Sequence, residues 1–232
     1  MTKAFLKICS LFFIALIILP FQGCKKKEIT ASVMLVHGAP GTPEVDLFLQ
    51  GNLKQSAIAY GSSSAYQEVS IEETEQFTSD IKDTAADTTL LSIFDPEWLD
   101  GEKYSIVIYG EPSKLDKGIF SDDYITPAAG SATVRFIHLS PNAPPLDVLA
   151  NGVVVVTNKE YYGDNVFNGA TGFQDVEAGI YDIELRVNGT NNIALSVPNI
   201  TFADGKAYTI FATGFVNGPG YLKLALGIAE NN

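Results

Sequence analysis

The sequence is poor in the residues that contact nucleic acid. Among its 232 residues, Arg135 and Arg186 are the only arginines, and the formal net charge is −12. A nucleic-acid-binding protein carries a basic patch or stripe, and apart from a lysine trio at residues 25–27 the chain has no basic cluster. We therefore expect an acidic body with no nucleic-acid partner.

Cysteine and histidine are scarce as well, with two of each. Cys9 lies inside an apolar N-terminal run, and Cys24 follows that run. If the run is removed from the mature protein, one cysteine remains and no disulfide can form within the chain. Stability must then come from packed apolar cores. Zinc normally takes three or four protein ligands, so we expect no metal and no cofactor.

The N-terminus also lacks an apolar run long enough to cross a bilayer, which takes about 20 residues. The run Ile8–Pro20 is preceded by Lys3 and Lys7, a pattern typical of a signal peptide. It is followed by Phe-Gln-Gly-Cys, which resembles a bacterial lipobox ending at Cys24. The resemblance implies a signal peptide at residues 1–23 and lipidation of Cys24. The alternative is an ordinary signal peptide or an anchor helix.

Residues 24–31 are then a lipidated tether, in which three lysines follow Cys24. In the sorting rule known for lipoproteins of Gram-negative bacteria, Asp after the lipidated cysteine favours the inner membrane, and Lys25 occupies that position here. The resemblance thus points to a protein anchored by lipid to the outer membrane. Whether it faces the periplasm or the cell surface stays open.

An internal repeat fills the rest of the chain. Val33–Gly51, VMLVHGAPGTPEVDLFLQG, aligns without a gap with Val134–Gly152, VRFIHLSPNAPPLDVLANG. Two more matches keep the same order, Asp100–Gly110 with Asp204–Gly214 and Ala65–Val69 with Gly172–Val176. The offset of about 100 residues exceeds the period of solenoid repeats. Each copy is therefore a whole domain.

We place the first copy at residues 32–125, a linker at 126–132 and the second copy at 133–232. Gly179–Val187 alternates apolar and polar residues, as a half-buried antiparallel strand does. Many short strands with turn residues between them, in about 100 residues, predict a β-sandwich. The expected fold is all-β, with two tandem antiparallel sandwiches.

Two turn sequences predict hairpins in the second copy. Asn188–Asn192, NGTNN, follows the alternating strand, and Asn-Gly accepts the positive φ angles of a tight hairpin turn. Asn217–Gly220, NGPG, separates two further strand-like segments. Each turn should join two neighbouring antiparallel strands.

The repeated motif places a histidine at the end of an apolar strand, then a proline-rich loop, then Asp and a second strand. The pairs are His37 with Asp46 and His138 with Asp147, at the same spacing. Proline fixes φ and donates no hydrogen bond, so these loops are stiff. Our hypothesis is a structural motif in which the loop folds back and the Asp accepts hydrogen bonds from the imidazole or from loop amides.

The segment HLSPNAPPLDV, residues 138–148, resembles the signature H-x-SP-x-AP-x-x-DV of an uncharacterised bacterial family, domain of unknown function 4397. The strand region DVEAGIYDIELRV is also similar to that family. The resemblance implies exported proteins, often lipidated, with tandem sandwiches of immunoglobulin or transthyretin-like type. It implies no known reaction.

Candidate chemistry in the sequence is sparse. A triad of His138, Asp147 and Ser140 lacks a counterpart in the first copy, where Ala39 replaces Ser140. Acidic residues between Glu72 and Asp87 match no calcium-loop spacing. We therefore assign no catalytic residue and no metal ligand, and expect a protein that is not an enzyme. A cryptic hydrolase is the least favoured alternative.

Aromatic residues are the remaining candidates for ligand contact. Tyr161, Tyr162, Phe167 and Phe173 crowd a Gly- and Asn-rich stretch, where exposed rings could stack on sugars or on a partner protein. Packing beneath loops is the other reading, and Trp98, which aligns with Phe202, is predicted in a core. The sequence favours a binding, adhesion or scaffolding module of the cell envelope, with an envelope protein or a glycan as partner. Carbohydrate binding by the loop aromatics is the alternative.

Overall fold

The computed structural model describes residues 27–72, 75–94 and 98–232. These residues form sixteen strands and two single-turn 3₁₀ helices, Pro112–Lys114 and Gly220–Leu222. The first eight strands are β1 (Glu28–His37), β2 (Val45–Leu49), β3 (Asn52–Ile58), β4 (Gln67–Glu72), β5 (Thr78–Asp83), β6 (Thr89–Phe94), β7 (Lys103–Tyr109) and β8 (Asp116–Ser121). The other eight are β9 (Ser131–His138), β10 (Leu146–Ala150), β11 (Val153–Lys159), β12 (Gln174–Glu177), β13 (Gly179–Val187), β14 (Ile193–Phe202), β15 (Ala207–Thr213) and β16 (Ala225–Glu230).

The strands form two sandwiches with the same topology. The first sandwich has sheets of order β4-β1-β7-β8 and β3-β2-β5-β6. The second sandwich has sheets β12-β9-β15-β16 and β11-β10-β13-β14. The predicted all-β fold of two tandem sandwiches is confirmed. The sheets are mainly antiparallel, as predicted, and one pair in each copy is parallel, β1 with β7 and β9 with β15. In each copy the chain crosses to the facing sheet and returns between these two strands.

Both predicted hairpins are confirmed, since β13 pairs antiparallel with β14 and β15 with β16. A further hairpin occurs in each copy, joining β2 to β3 and β10 to β11. Its turn residues, Gln50–Gly51 and Asn151–Gly152, all have positive φ. That combination suits a two-residue hairpin turn whose twist matches the strands.

Two strands extend into segments that we assigned to connections. β1 begins at Glu28 and pairs with β4 from that residue, so residues 28–31 of the predicted tether belong to the first sandwich. β9 begins at Ser131, inside the predicted linker. The signal peptide and Cys24 lie outside the described residues and stay predictions. Within the described part of the chain, no helix has the length and apolar character needed to cross a membrane.

Each sandwich has its own apolar core. Trp98 is buried in the first core, as predicted, and its ring meets Phe77 and Tyr104 edge-on at 5.0 and 4.0 Å. In the second core, the ring of Phe202 lies 5.5 Å from that of Tyr181 and 5.3 Å from that of Tyr208, in tilted rather than edge-on contacts. The duplication thus extends to the packing of the core aromatics.

A third apolar cluster joins the two sandwiches. It consists of Met34, Val36, Val107, Tyr109, Ile137, Leu139, Phe211 and Ala229, drawn from β1, β7, β9, β15, β16 and the residue after β9. The central strands are therefore buried on both faces. This arrangement explains why they read as nearly continuous apolar runs rather than as alternating ones.

A buried ion pair lies in the same interface. Arg135 Nη2 donates to Asp122 Oδ1 at 2.6 Å, and both side chains are almost fully buried. Arg135 also donates to the hydroxyls of Ser105 and Thr209. Asn231 Oδ1 accepts a hydrogen bond from the Thr209 hydroxyl, so the polar groups satisfy one another. The interface therefore combines apolar packing with a buried network of hydrogen bonds and one ion pair.

Candidate functional site

The motif histidines hold the proline-rich loops by their backbone. His37 Nε2 lies 2.9 Å from Pro43 O, and His37 Nδ1 accepts a hydrogen bond from the amide of Ala39. His138 makes the equivalent contacts with Pro144 O and the amide of Ser140. A neutral imidazole protonated at Nε2 fits both contacts. The imidazoles therefore form hydrogen bonds with backbone groups of the loops rather than with Asp46 or Asp147.

Burial disfavours the charged imidazole in both copies. It lowers the pKa of His37, and it lowers the pKa of His138 to about 4, while the proline carbonyls act weakly in the opposite direction. Ser140 is buried too, and its hydroxyl donates to Gly214 O at 2.6 Å. The candidate triad thus presents neither a free nucleophile nor a charged imidazole to solvent at neutral pH.

The motif aspartates support irregular positions in the neighbouring strand. Asp46 accepts the amide proton of Ala57, and Asp147 accepts that of Asn158. Both donors have positive φ, 55° and 50°, and lie where the hairpin register shifts. Residues other than Gly, Asn and Asp seldom adopt this backbone conformation. The Asp of the motif therefore fixes a β-bulge in each copy.

The same hydrogen bonds set the charge of these carboxylates. Burial opposes ionisation of Asp46, but donors from Thr84, Ala57 and Ser56 outweigh it and lower its pKa. At Asp147, burial is outweighed by Asn158, Asn188 and Gly189, and the pKa is again lowered. Both groups are fully charged acceptors at neutral pH.

The predicted ligand-contact aromatics do not share one surface. Tyr161 and Tyr162 are half-buried between the sandwiches, where both rings meet Tyr109 edge-on. Phe173 is also half-buried and lies 4.6 Å from the guanidinium of Arg135. Phe167 alone is open to solvent, with 97% of its side chain exposed. A stacking platform of four rings is absent from the described structure.

Phe167 belongs to an insertion that only the second copy contains. The backbone hydrogen bond His37 N→Ser62 O corresponds to His138 N→Gly169 O. Likewise, Gly61 N→His37 O corresponds to Tyr162 N→His138 O. The matching leaves residues 163–168 without a counterpart in the first copy. The insertion presents Val166 and Phe167 to solvent.

An apolar cleft opens between the two sheets of the second sandwich. Its volume is about 310 Å³, and its mouth lies between the edge strands β11 and β12. The lining includes Val148, Ala150, Val155, Val156, Val176 and Tyr181. Few polar groups border it, among them Thr171, Gln174 and Glu177. The volume and the lining are those of a small-ligand site, which typically measures roughly 300–1,000 Å³.

A β-bulge places two successive valines at this cleft. Val148 pairs with Val156 and Leu149 with Val154, so Val155 is the extra residue on β11. Bulges in edge strands re-aim a side chain that would otherwise point away. Val155 therefore stands at the mouth, with 51% of its side chain exposed.

The first sandwich closes the equivalent mouth with a lysine. The β2–β3 hairpin has the same bulge, and its extra residue is Lys54. Lys54 Nζ donates to Glu68 O of β4 at 2.9 Å, across the gap between the two edge strands. Val155 occupies the corresponding position in the second sandwich and cannot make this bond.

Two further differences separate the closed interior of the first sandwich from the cleft of the second. Leu49 is fully buried, whereas Ala150 at the matching hairpin position lines the cleft. Phe77 is fully buried, whereas the matching Tyr181 is half-buried and donates its hydroxyl to Glu177 O near the mouth. The cleft thus results from a few substitutions within one repeated architecture.

Sequence reasoning missed this cleft. The available signal was the alignment of Asn52–Gln55, NLKQ, with Val153–Val156, VVVV, in which valine replaces three polar residues of an edge strand. Recognising its meaning requires the strand order, because only the order places β11 beside β12. The acidic cluster of the first copy gives no such site, and among residues 27–72, 75–94 and 98–232 no group of His, Cys, Asp or Glu is arranged to hold a metal.

Comparisons with known proteins give a family and little else. No curated protein matches the sequence. One similar solved structure is the CBMbc module, family CBM26, of Amy13K from Eubacterium rectale in complex with maltoheptaose, at 8% identity and a TM-score of 0.26, covering 88% of this chain and 98% of that one. Another is the tip fimbrial protein Mfa3 from Porphyromonas gingivalis with C-terminal truncation, at 9% identity and a TM-score of 0.24, covering 88% and 100%. Neither likeness is close enough to support an argument about this chain.

The family comparison is informative because it matches both copies. The model described as Domain of unknown function (DUF4397) matches residues 31–149 and 134–225. The two matched regions overlap at residues 134–149 and are consistent with tandem copies, so the resemblance seen in the repeated motif is confirmed. The chain belongs to the family Domain of unknown function (DUF4397), with tandem copies of its domain.

Proposed function

We propose that this protein is a non-catalytic binding module of the bacterial cell envelope, anchored to the outer membrane through lipidated Cys24. The second sandwich is the binding copy, and the first sandwich is its rigid support. The observation that carries the proposal is the open apolar mouth between β11 and β12, whose counterpart in the first copy is bridged by Lys54.

The geometry of the motif supports a role without catalysis. Both histidines are buried and bonded to loop carbonyls, and Ser140 donates to Gly214 O. A nucleophile needs a base within hydrogen-bond reach and an accessible site for the reacting atom. The residues that could supply acid, base or nucleophile are instead used to shape the loops.

The cleft supports binding because apolar surface left open to water costs free energy that a ligand can recover. Its walls come from both sheets, so the site is set by the framework of the sandwich. The polar groups of Thr171, Gln174 and Glu177 at its border can orient a ligand. A ligand with an apolar body and a neutral or cationic polar end fits this lining.

The test is titration of the protein with N-phenyl-1-naphthylamine, a neutral probe that fluoresces more strongly in apolar surroundings. We expect saturable binding by the native chain. Ala150→Leu should fill the cleft, and Val155→Lys should bridge the mouth as Lys54 does, so both should remove the saturable signal. Val153→Lys is the matched control, because Val153 is exposed on the same strand but does not line the cleft.

The proposal fails if the probe does not saturate on the native chain, or if all three variants bind it equally. Circular dichroism and the urea unfolding midpoint of each variant will show whether the fold is retained. An unfolded variant would be replaced by Ala150→Val, which should weaken binding in proportion to the smaller volume it fills.

The proposed anchor has its own test. Cys24→Ala should move the protein from the membrane fraction to the soluble fraction after cell lysis, since the acyl chains supply the membrane affinity. Continued membrane association of this variant would contradict lipid anchoring. Protease treatment of intact cells would then separate a surface-facing from a periplasm-facing protein.

Carbohydrate recognition is the second candidate, and Phe167 is the observation in its favour. Its ring is 97% exposed on the insertion that the first copy lacks, and exposed aromatic faces can stack on apolar faces of sugars. Retention on a glycan array that Phe167→Ala abolishes, with the probe still bound by the cleft, would support this candidate.

A further inference from the structure

The outer edge of β11 has unusual properties for an exposed edge strand. Its residues Val153–Asn158, VVVVTN, include no charged residue and no proline, and the ammonium of Lys159 at its end donates to Asn168 Oδ1 and Ala170 O. Val153, Val154 and Val155 are all exposed. Natural sheets usually protect such edges with lysine, proline or inward charges, because free N–H and C=O groups can pair with another strand.

The backbone of β11 is available for pairing. β11 pairs with β10 on one side only and is last in the order of its sheet. In the described part of the chain, Val153–Thr157 make no backbone hydrogen bond beyond that pairing. The corresponding edge strand of the first sandwich, β3, carries Lys54, whose ammonium lies across to β4.

The free edge and the cleft lie side by side. A strand added to β11 would extend its sheet over the mouth between β11 and β12. Successive side chains of a strand point to opposite faces, so every second side chain of the added strand would enter the cleft. The remaining side chains would face solvent.

We infer that the second sandwich binds an extended polypeptide segment by β-strand addition to β11, with alternate apolar side chains of the segment seated in the cleft. Backbone hydrogen bonds then give affinity and the cleft gives specificity. The inference rests on the proposed function of the cleft and names the class of its ligand.

The charge around the mouth of the cleft indicates which residues of a bound segment would flank its apolar side chains. Asp175 and Glu177 are exposed on β12, and Glu177 also lines the cleft. Neither carboxylate forms an ion pair within the described residues. A partner segment with a basic residue beside its apolar positions is complementary to this rim. A second copy of this acidic chain is less complementary, because its own rim would bring like charges together.

The experiment uses a probe peptide, acetyl-Lys-Val-Thr-Val-Thr-Val-Lys-amide, and two N-methylated forms of it. One form is methylated on the valine amides and the other on the threonine amides. In an added strand only one of the two sets of amides points towards β11. We therefore expect one methylated peptide to bind as the parent does and the other to bind more than about tenfold more weakly, because several hydrogen bonds are lost together.

Four results would overturn the inference, and the last of them would overturn the proposed function as well. Equal binding of all three peptides would mean that the cleft takes side chains without strand pairing. Absence of peptide binding, with N-phenyl-1-naphthylamine still bound, would leave the proposed function and remove strand addition. A concentration-dependent dimer that Val155→Lys dissociates would identify a second copy as the occupant. Loss of binding of both probe and peptide would contradict the proposed function itself.

Discussion

The two sandwiches share one topology and one motif, yet they differ at the mouth between their edge strands. In the first sandwich, Lys54 bridges the mouth and Leu49 fills the interior. In the second sandwich, Val155 and Ala150 occupy these positions and a cleft of about 310 Å³ remains. The difference teaches that two copies of one domain can keep the same topology while one is closed at the mouth and the other is open, and the open cleft is the site that we propose for binding.

The copies have also become unequal where they meet. Arg135 and Met34 occupy equivalent positions in the repeat, and so do Asp122 and Asn231, each of which follows the last strand of its sheet. Two copies of the first sandwich would place Met beside Asp on both sides of the interface, and two copies of the second would place Arg beside Asn. The chain instead combines one Arg–Asp contact, Arg135 with Asp122, and one Met–Asn contact, Met34 with Asn231. The copies are thus no longer interchangeable.

The largest expected effect comes from breaking this complementarity. Asp122→Asn leaves the buried charge of Arg135 without its carboxylate, and we expect a loss of about 3 kcal/mol or more in the free energy of unfolding. Adding Arg135→Met gives both sides the Met and Asn of the other copy, and should recover most of the loss. Urea unfolding of the single and double variants measures both changes. A double variant no more stable than Asp122→Asn would contradict this account of the interface.

Acid should destabilise both copies through their histidines. The pKa of His138 falls from 6.5 to about 4 on folding, so between these pH values the unfolded chain binds more protons than the folded one. Stability should therefore decrease as the pH falls from 6.5 towards 4, by at most about 3 kcal/mol from this group. His37 acts in the same direction.

The measurement is urea unfolding across this pH range, with His138→Gln as the comparison. Glutamine can donate and accept hydrogen bonds but does not titrate, so the variant should show a shallower pH dependence. Identical slopes would show that His138 does not titrate on unfolding. Below pH 4, Asp46 and Asp147 add their own loss, because their pKa values are lowered by hydrogen bonds that protonation disrupts.

A smaller effect is expected from the motif aspartates. Asp46→Ala and Asp147→Ala each remove the acceptor of a bulge amide, together with one or more side-chain partners. An unsatisfied donor typically costs about 1–3 kcal/mol, so each variant should be destabilised by about 2 kcal/mol. Comparing the free energies of unfolding of the two variants in urea tests whether the motif stabilises both copies equally. A neutral result at either position would contradict its structural role there.

The smallest expected effect exchanges the bulge residues themselves. Ala57 and Asn158 hold the same positive-φ position, and asparagine tolerates that conformation better than alanine does. Ala57→Asn should stabilise the protein by about 1 kcal/mol and Asn158→Ala should destabilise it by a similar amount. Both side chains are exposed, so repacking is not expected to obscure the comparison of unfolding midpoints. Changes of the opposite sign would contradict the assignment.

Much of the architecture could be predicted from the sequence because it depends on local signals. The repeat revealed two domains, the alternation in Gly179–Val187 revealed a half-buried strand, and the turn residues revealed hairpins. The parallel pairing of β1 with β7 could not be predicted, since it depends on which distant strands become neighbours. The sequence predicted the hydrogen bonds of the motif only in part, because it does not show which backbone groups face an imidazole.

The candidate site was beyond the reach of these local signals. The cleft depends on β11 and β12 lying at the same side of the sandwich, although they are separated along the chain by the insertion at 163–168. The valine run of β11 resembles an ordinary buried strand until its edge position is known. The aromatics around Tyr161 drew attention instead, and most of them pack between the sandwiches.

The most direct test of the account is to locate the bound probe by NMR, using ¹³C-methyl-labelled valine and N-phenyl-1-naphthylamine. We predict that the methyl signals of Val148, Val155, Val156 and Val176 shift on titration, since these residues line the cleft. The signals of Val33, Val45 and Val69, which are buried in the closed first sandwich, should not shift. Shifts confined to Val166, beside Phe167, or spread over the first sandwich would contradict the claim that the open copy is the binding copy.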